Sequence, residues 1–237
     1  METRLLLQDD RLSHAMDGIN QYAKELDDDE LGQGVHRHFV GDLWDEVGDL
    51  QYRFLRECGL RPDMNLLDVG CGCLRGGLHF IRYLEPGRYH GVDINASLLR
   101  AGMLELRHAA LDERGATLLQ RADFDFQAFE KKFEVAIAVS VFTHLFFNHI
   151  ARCLHGIKQV LADSGVFYAT FFNAPTRLHL EPLTHDPGGI TTSYDSDPFH
   201  CHPEELATLA YWAGLRADVI GEWSHPRAQQ MIAFRHA

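Results

Sequence analysis

Residues 66–77 read LLDVGCGCLRGG: an apolar run interrupted only by an acid leads straight into a glycine-rich turn. Residues 89–95 read YHGVDIN, a second apolar run that ends in an acid. Roughly 20 residues separate Gly72 from Asp93, which is the length that a helix and a second parallel strand need. The two stretches therefore predict neighbouring parallel strands of an α/β sheet, with a glycine turn and an acid at the carboxyl edge.

This combination suits a nucleoside-type cofactor. Glycines let a backbone come close to a ligand, and the helix after the turn presents unpaired N–H groups and the positive end of its dipole. An acid at the tip of the second strand suits a ribose diol. For the turn alone, a purely structural strand-to-helix connection is the alternative. A nicotinamide dinucleotide site is the weaker rival, because its fingerprint needs glycine three residues after Gly72, where Arg75 stands.

Strand and helix patterns alternate through the rest of the chain. Strands are predicted near residues 65–70, 88–93, 116–121, 134–140, 165–173, 215–221 and 229–235. Helices are predicted near residues 75–84, 96–111, 147–162 and 203–213. Such alternation argues for a mostly parallel sheet of seven strands with helices on both faces. Only a short loop joins the last two strands, so we expect them to pair antiparallel at an edge.

The N-terminal segment carries helix patterns but is too short and too polar to bury a core of its own. Apolar residues recur at helical spacing over residues 12–26, and a second helix is expected from near 42 to 59. We therefore divide the chain into an N-terminal helical cap or lid, residues 1–60, and a main domain, residues 61–237.

Charge and composition narrow the choice of partners. Of 237 residues, 46% are hydrophobic and 24% are charged, as in an ordinary globular protein. A formal net charge of −12 disfavours attraction to nucleic-acid phosphates. The apolar run at residues 5–7 is too short for a membrane span or a signal peptide. We expect neither a nucleic-acid nor a membrane partner, and the sequence leaves the oligomeric state open.

The cysteines indicate a reducing compartment. They are Cys58, Cys71, Cys73, Cys153 and Cys201. An odd, scattered set forms no disulfide framework and favours the cytoplasm. Cys71 and Cys73 have C-x-C spacing with no second pair, so we interpret them as small packing residues in a tight turn and expect no metal.

Over about residues 60–237 the chain resembles the class I S-adenosylmethionine-dependent methyltransferases. That family has an acid before a glycine turn, a second acid at the end of strand two and a third acid after strand three. The matching positions here are Asp68 with Gly70 and Gly72, then Asp93, then Asp123. The resemblance implies a Rossmann-like fold with S-adenosylmethionine as the cofactor.

The turn departs from the family pattern at one position. Leu74 stands where the usual third glycine would be, and Arg75 follows. The form GCGxLRGG, with WDEVGDLQ upstream and SVFTHL downstream, resembles a bacterial subgroup with small-molecule or glycan substrates. Arg75 would pair with the cofactor carboxylate or cap a surface.

The resemblance also implies roles for the residues near the turn. Gly70, Cys71 and Gly72 would pass beneath the methionine part of the cofactor. Asp93 would bind the ribose hydroxyls, and Ile94 would lie against the adenine.

Three further residues complete the expected cofactor contacts. Asp123 would bind the adenine amino group and Phe124 would lie beside the ring, since carboxylates accept paired donors and aromatic faces stack on bases. Asp68, before the turn, is counted with the same set.

The segment after the fourth strand is expected beside the methyl group. It contains Ser140, counted with the cofactor-binding residues, and His144. The sulfonium methyl is already activated, so the protein mainly aligns the acceptor. A neutral amine needs little more, whereas an alcohol or phenol must lose its proton. His144 is therefore the candidate general base, with a pocket-shaping role as the alternative.

Residues 174–202 show neither the helical nor the strand spacing of apolar residues. They predict a long loop, which is either a lid or a disordered surface segment. Other candidates for a lid or pocket wall are His36, His38, Trp44, Tyr194, His200, His202, Trp223, His225, Pro226 and Arg227. Each of these residues taken singly is better explained by a structural role or by simple exposure.

We therefore expect an enzyme, a transferase that moves a methyl group from S-adenosylmethionine to an oxygen or nitrogen of a small-molecule acceptor. Two alternatives stay open: a non-catalytic S-adenosylmethionine-binding module, and a methyltransferase that acts on a protein. The absence of an Asn-Pro-Pro-Tyr type motif after strand four argues against amino-group methylation of DNA bases or glutamine. The absence of a Pro-Cys pair argues against a cytosine-carbon nucleophile.

Overall fold

A computed structural model describes residues 1–7, 22, 24–175 and 180–237. The chain separates into two compact units, Met1–Ala122 and Asp123–Ala237. Its class is mixed α/β with a mainly parallel sheet, as predicted. The strands and helices of each unit are described in turn.

The first unit contains four parallel strands. They are β1 Arg4–Leu6, β2 Leu66–Val69, β3 Tyr89–Asp93 and β4 Thr117–Gln120, in the order β1-β4-β3-β2. All four residues of β2 are buried, which explains why its sequence is nearly continuous in apolar residues. Parallel pairing aligns Asp68 with Gly91 and Val69 with Val92, so β2 and β3 end at the same edge.

Five α-helices lie among the described residues of the first unit. They are α1 Asp28–Gly32, α2 Val35–Phe39, α3 Trp44–Glu57, α4 Gly77–Tyr83 and α5 Ala96–His108. Asn95 caps α5 as a side-chain acceptor for the amides of Ser97 and Leu98. A small apolar core joins α1 to α5 and to the residue after the glycine turn, through Leu31, Leu98 and Cys73.

The second unit mixes parallel and antiparallel pairing. Its elements are β5 Phe133–Ala138, α6 Phe147–Val160, β6 Leu161–Asn173, β7 Leu183–His185, β8 Ile190–Thr192, β9 His200–Cys201, α7 Pro203–Trp212, β10 Leu215–Glu222 and β11 Gln230–His236. The main order is β5-β6-β11-β10, with β5 and β6 parallel. As expected, β10 and β11 form an antiparallel pair.

All seven predicted strands are found, but the strand count is larger than seven. β1 extends the first unit by pairing in parallel with β4, although its apolar run is short. Residues 174–202, predicted as a loop, contain the β7–β8 hairpin and the short strand β9, which pairs with β6. Strands of only two or three residues are too short to show an alternation of apolar and polar residues. This explains why β1 and the strands of residues 174–202 were not predicted.

The helices predicted in the N-terminal segment can be compared with the structure only in part. The helix predicted over residues 12–26 lies mostly outside the described residues. The second predicted helix, near 42 to 59, is α3 at Trp44–Glu57. Within the described part of the chain, none of the helices combines the length and apolar character that crossing a bilayer requires.

Candidate active site

The glycine turn after β2 uses backbone conformations that favour glycine. Gly70 has φ +69° and Gly72 has φ +53°, both in the left-handed region. The amides of Gly70 and Cys71 both donate to the carbonyl of Val92, at 2.8 and 3.1 Å. These two main-chain bonds fasten the turn to the end of β3.

Leu74 replaces the family's third glycine and is also in the left-handed region, at φ +71°. Its side chain is fully buried. A Cβ added at Gly77 or Gly102 would lie 2.8 or 2.9 Å from Leu74 side-chain atoms. Glycines in α4 and α5 therefore provide the space for Leu74, and its burial offsets the strain of a positive φ.

Asp93 ends β3 and joins the turn to the start of α5. Its Oδ2 accepts from the amide of Gly72 at 2.8 Å, and its Oδ1 accepts from the amide of Asn95 at 2.9 Å. Burial raises the pKa of Asp93, while the backbone N–H donors act in the opposite direction. An ionised carboxylate has about four acceptor sites, so the backbone donors of Gly72, Ile94 and Asn95 leave capacity for a further hydroxyl.

Asp68 lies buried in β2, two residues before Gly70. The hydroxyl of Tyr89 donates to its Oδ2 at 2.7 Å. Burial raises the pKa of Asp68 to about 7, against the lowering effect of the Tyr89 hydrogen bond. A positive group placed beside Asp68 would favour its ionised form.

The two turn cysteines are both buried and free. A Cβ on Gly91 would lie 2.7 Å from Cys71 Sγ, so Gly91 in β3 provides the room for that side chain. Cys73 Sγ contacts the carbonyl of His36 at 3.7 Å. Burial raises the pKa of both thiols, which makes them packing groups rather than thiolates. The described residues contain no group of three or more His, Cys, Asp or Glu placed to hold a metal.

Arg75 binds carbonyls of the N-terminal segment. Its Nη1 donates to the carbonyl of Val40 at 3.1 Å and to that of Asp42 at 2.9 Å. A Cβ on Gly72 would lie 3.5 Å from the side chain of Val40. Residues 40–42 therefore lie directly against the glycine turn.

A buried charge cluster that the sequence did not predict fixes α2 to α5. Glu105 accepts from Arg37 through both carboxylate oxygens, at 2.7 Å each, and His36 Nε2 lies 2.8 Å from Oε1. Arg37 also lies over the ring of Trp44, 4.7 Å from its centroid. Burial alone would raise the pKa of Glu105, but the hydrogen bonds and charges of His36 and Arg37 lower it to about 2.

In the second unit, Asp123 and Phe124 line a cavity of about 640 Å³ against α6, together with Arg152 and His155. Phe124 has φ +58°. Asp123 Oδ1 accepts from the amide of Asp125 at 3.1 Å. A Cβ on Gly156 would lie 2.2 Å from the Phe124 carbonyl, so only glycine at that position of α6 lets the segment approach.

Ser140, after β5, belongs to a buried polar network. Its φ is +59°, and its amide donates to Thr170 Oγ1 at 2.7 Å. Gln229 Nε2 donates to Ser140 Oγ at 2.9 Å, and Thr170 Oγ1 donates to Gln229 Oε1 at 2.6 Å. Neither Thr170 nor Gln229 was predicted. They come from β6 and from the residue before β11, far along the chain from Ser140.

His144 closes a 3₁₀ turn at Phe142–His144. Its Nδ1 is hydrogen-bonded to the carboxylate of Asp197. Both side chains are mostly shielded, with exposed fractions of 16% and 19%. The sequence did not single out Asp197, although it lies in the turn-like DSDP of the long segment 174–202.

A second cavity, of about 430 Å³, opens where β6 and β10 end and β11 begins. His185, Trp223, His225 and Gln229 line it, the rings of Trp223 and His225 stacked 5.4 Å apart. Because Gln229 also bonds Ser140, this cavity adjoins the Ser140 network. Burial lowers the pKa of His185, and the nearby His200 adds to the effect.

The other lid candidates have structural partners. Tyr194 Oη donates to Glu205 at 3.0 Å, and His202 caps α7. His200 is buried with Nδ1 2.7 Å from Thr192 Oγ1. His38 is exposed and lies 2.9 Å from Asp42. The first unit thus brings together Asp68, Gly70, Cys71, Gly72 and Asp93, while Ser140 and His144 in the second unit belong to separate hydrogen-bond networks.

Comparison with known proteins agrees with this architecture. Residues 67–167 match a family model described as "Methyltransferase domain". The CcbJ methyltransferase from Streptomyces caelestis superposes with TM-score 0.61 at 16% identity, covering 80% of this chain and 90% of that one.

Two further solved structures are similar. The magnesium protoporphyrin IX methyltransferase from Synechocystis PCC 6803, with bound SAH, gives TM-score 0.61 at 13% identity, covering 87% of this chain and 94% of that one. DesVI from Streptomyces venezuelae gives 0.60 at 17%, covering 90% and 100%. At identities this low, the similarity establishes a shared fold.

Proposed function

We propose that this chain transfers a methyl group from S-adenosylmethionine to an oxygen or nitrogen of a small molecule. The proposal starts from the resemblance to the class I S-adenosylmethionine-dependent methyltransferases, which is confirmed in the fold and over residues 67–167. S-adenosylmethionine supplies the already activated methyl group when bound. The protein's residues hold the cofactor, orient the acceptor and, for a hydroxyl acceptor, take its proton.

The contact between Gly72 and Asp93 carries this proposal. A backbone hairpin without bulky side chains is fixed to a carboxylate that keeps acceptor capacity for a ribose hydroxyl. We assign Gly70, Cys71 and Gly72 to the methionine part of the cofactor and Asp93 to the ribose. The backbone amides already bonded to Asp93 hold the carboxylate in place before any ligand binds.

We assign the adenine contacts to Ile94, Asp123 and Phe124. Ile94 follows Asp93, and the family pattern assigns it to the adenine face. Asp123 and Phe124 line a cavity of suitable size in the second unit, and we assign them to the adenine amino group and ring. Ser140 and Asp68 complete the proposed cofactor set.

We also propose that residues 1–60 form a cap over the cofactor turn, with residues 61–237 as the methyltransferase domain. The support comes from Arg75, whose guanidinium holds the carbonyls of Val40 and Asp42 beside the turn. The Glu105 cluster holds α2 in the same region. The odd number of cysteines and their scattered positions support a cytoplasmic location as part of this proposal.

For the acceptor we propose the 430 Å³ cavity lined by His185, Trp223, His225 and Gln229. Its size suits a small molecule rather than a polymer. Gln229 connects it to Ser140, which the sequence places at the methyl edge. His144 is assigned as the general base for a hydroxyl acceptor.

Calorimetry with S-adenosylmethionine tests the cofactor site. Asp93→Asn keeps the shape but removes the charge and replaces one acceptor oxygen by an NH2 donor. Charge-assisted hydrogen bonds are worth about 1.5–3 kcal/mol. We expect binding about ten- to a hundredfold weaker, and no detectable binding for Asp93→Ala. Exposed Asp63 provides the matched control, since Asp63→Asn in the same unit should bind as the wild type does. Unchanged affinity in folded Asp93→Asn would remove Asp93 from the site.

Formation of S-adenosylhomocysteine separates the proposal from its alternatives. Incubation with a panel of hydroxyl and amine metabolites, read by mass spectrometry, should give a methylated small molecule. Cofactor binding without product from any acceptor would favour a non-catalytic module. Product formed only with protein substrates would favour a protein methyltransferase.

A further inference from the structure

We propose that Asp197 is a positioning residue that fixes the tautomer of His144 for proton abstraction. This inference rests on the proposed methyl transfer and on the assignment of His144 as base. Asp197 belongs to the segment between β8 and β9, so that segment would supply part of the catalytic machinery.

The chemistry follows from which nitrogen is bonded to the carboxylate. An ionised carboxylate only accepts hydrogen bonds, so His144 Nδ1 must carry the hydrogen. In the neutral imidazole the lone pair then resides on Nε2. Asp197 therefore determines that Nε2 is the nitrogen able to take a proton.

Hydrogen bonds on both sides of Asp197 hold it in place. The amide of Ser193 donates to the carbonyl of Pro198 at 3.0 Å, and the amide of His200 donates to that of Ser193 at 3.1 Å. The amide of Phe199 donates to the carbonyl of Thr143 at 2.7 Å. This last bond joins the segment to the residue immediately before His144, so carboxylate and imidazole are held by adjoining backbone.

The aromatic contact next to this bond reinforces the placement. The rings of Phe199 and Phe146 lie 4.8 Å apart, and Phe199 is buried. Phe146 lies two residues after His144. Backbone and side-chain contacts thus fix the Asp197 segment on both sides of the histidine.

The proton and charge balance is complete without a further reactant. The acceptor oxygen forms a bond to the methyl carbon as the carbon–sulfur bond breaks, leaving neutral S-adenosylhomocysteine. The hydroxyl proton passes to His144 Nε2, and the positive charge lost from sulfur appears on the imidazolium. Asp197 stays ionised and stabilises that cation. Solvent later removes the proton.

Nitrogen NMR of ¹⁵N-histidine-labelled protein tests the tautomer without any acceptor. In the neutral wild-type ring, His144 should be protonated at Nδ1, with its signals assigned by their loss in His144→Gln. In Asp197→Asn the amide can donate to Nδ1, so the Nε2-protonated form should gain population. Asp195→Asn, the same change at an exposed position two residues away, should leave the tautomer unchanged. A wild-type ring protonated at Nε2 overturns the proposal, whether or not Asp197→Asn folds.

Turnover provides the second test once a hydroxyl acceptor is found. Asp197→Asn should lower kcat by about a hundredfold with the KM for S-adenosylmethionine unchanged, and Asp197→Glu should restore part of the loss. Asp195→Asn should match the wild type. Equal kcat in folded Asp197→Asn rejects the positioning role while methyl transfer stands. A wild type that methylates nothing rejects the proposed function, whatever the NMR shows.

Discussion

Two buried carboxylates in the first unit have pKa values shifted in opposite directions, although burial raises the pKa of both. Burial raises the pKa of Asp68 to about 7, because the single hydroxyl of Tyr89 offsets only part of it. The pKa of Glu105 falls to about 2, because His36 and Arg37 supply three hydrogen bonds and positive charge that outweigh burial. The number and charge of the donors thus decide the direction of each shift.

Asp68 should give the ligand-free protein a stability that falls as pH rises. Between its ordinary value of 3.8 and about 7 the folded protein holds a proton that the unfolded chain has lost. The free energy of unfolding should therefore decrease across this window, by at most about 1.4 kcal/mol per pH unit from this group. Urea unfolding of wild type and Asp68→Asn from pH 4.5 to 7.5 measures the difference.

Asp68→Asn should lack the part of the pH dependence that comes from Asp68. Its amide oxygen still accepts the hydrogen bond of Tyr89, but the amide does not titrate. Asp63→Asn, at an exposed position of the same unit, should follow the wild-type curve. Parallel curves for wild type and Asp68→Asn would show that Asp68 titrates alike in the folded and unfolded protein.

The residues of the cofactor turn could be predicted because their chemistry is local or regularly spaced. Gly72 and Asp93 are separated by one helix and one strand, a distance that the fold class fixes. Asp197 and Gln229 could not, because they contact His144 and Ser140 across 53 and 89 positions of sequence. Nothing in a single sequence identifies such partners before the chain is folded.

At the scale of elements, the contact between α2 and α5 depends on one carboxylate, that of Glu105. Glu105 in α5 accepts from Arg37 and contacts His36, both in α2, a helix of only five residues. So short a helix has little stability of its own. The ion pair between Arg37 and buried Glu105 therefore positions α2 and, through it, the residues that lie against the glycine turn.

Glu105→Gln should destabilise the protein at neutral pH and abolish one acid-sensitive step. The depressed pKa means that Glu105 stabilises the fold fully above its ordinary value of 4.5, and that this is lost as pH falls toward about 2. We expect a loss of about 1–3 kcal/mol at pH 6, in part reduced because Arg37 is half exposed. Urea unfolding at pH 6 and at pH 3 gives both quantities.

The control is Glu57→Gln at the exposed end of α3, which should change stability little at either pH. If Glu105→Gln matched the wild type at pH 6, the cluster would not hold α2 in place. If it kept the full acid sensitivity, other carboxylates would account for that step.

The longer strands and helices could be predicted from the periodicity of apolar residues, whereas the short strands could not. Apolar patterns and glycine or proline breaks correctly indicated the positions of most strands and helices, namely β2 to β6, β10, β11 and α3 to α7. β1, β7, β8 and β9 have two or three residues each, and long-range pairing rather than local pattern determines them. The segment holding Asp197 is ordered by such pairing, and for that reason it was predicted as a loop.

At the scale of the whole molecule, charge limits the partners. The chain has 34 acidic residues against 22 Lys and Arg, a net charge of −12. Such a field repels phosphate backbones at long range. The absence of a nucleic-acid partner stays a prediction from this charge.

Ligand binding to the folded state should stabilise the whole chain by mass action. At S-adenosylhomocysteine a hundredfold above its Kd the gain is about 2.7 kcal/mol, which for a chain of 237 residues raises Tm by about 5 °C. Asp93→Asn at the same concentration should shift by about 1–3 °C, because its weaker binding lowers the ratio of ligand to Kd. His144→Gln should show the full shift, since His144 is assigned to the acceptor's proton. Equal shifts in wild type and Asp93→Asn would contradict the proposed ribose contact, whereas a lost shift in His144→Gln would move that histidine into cofactor binding.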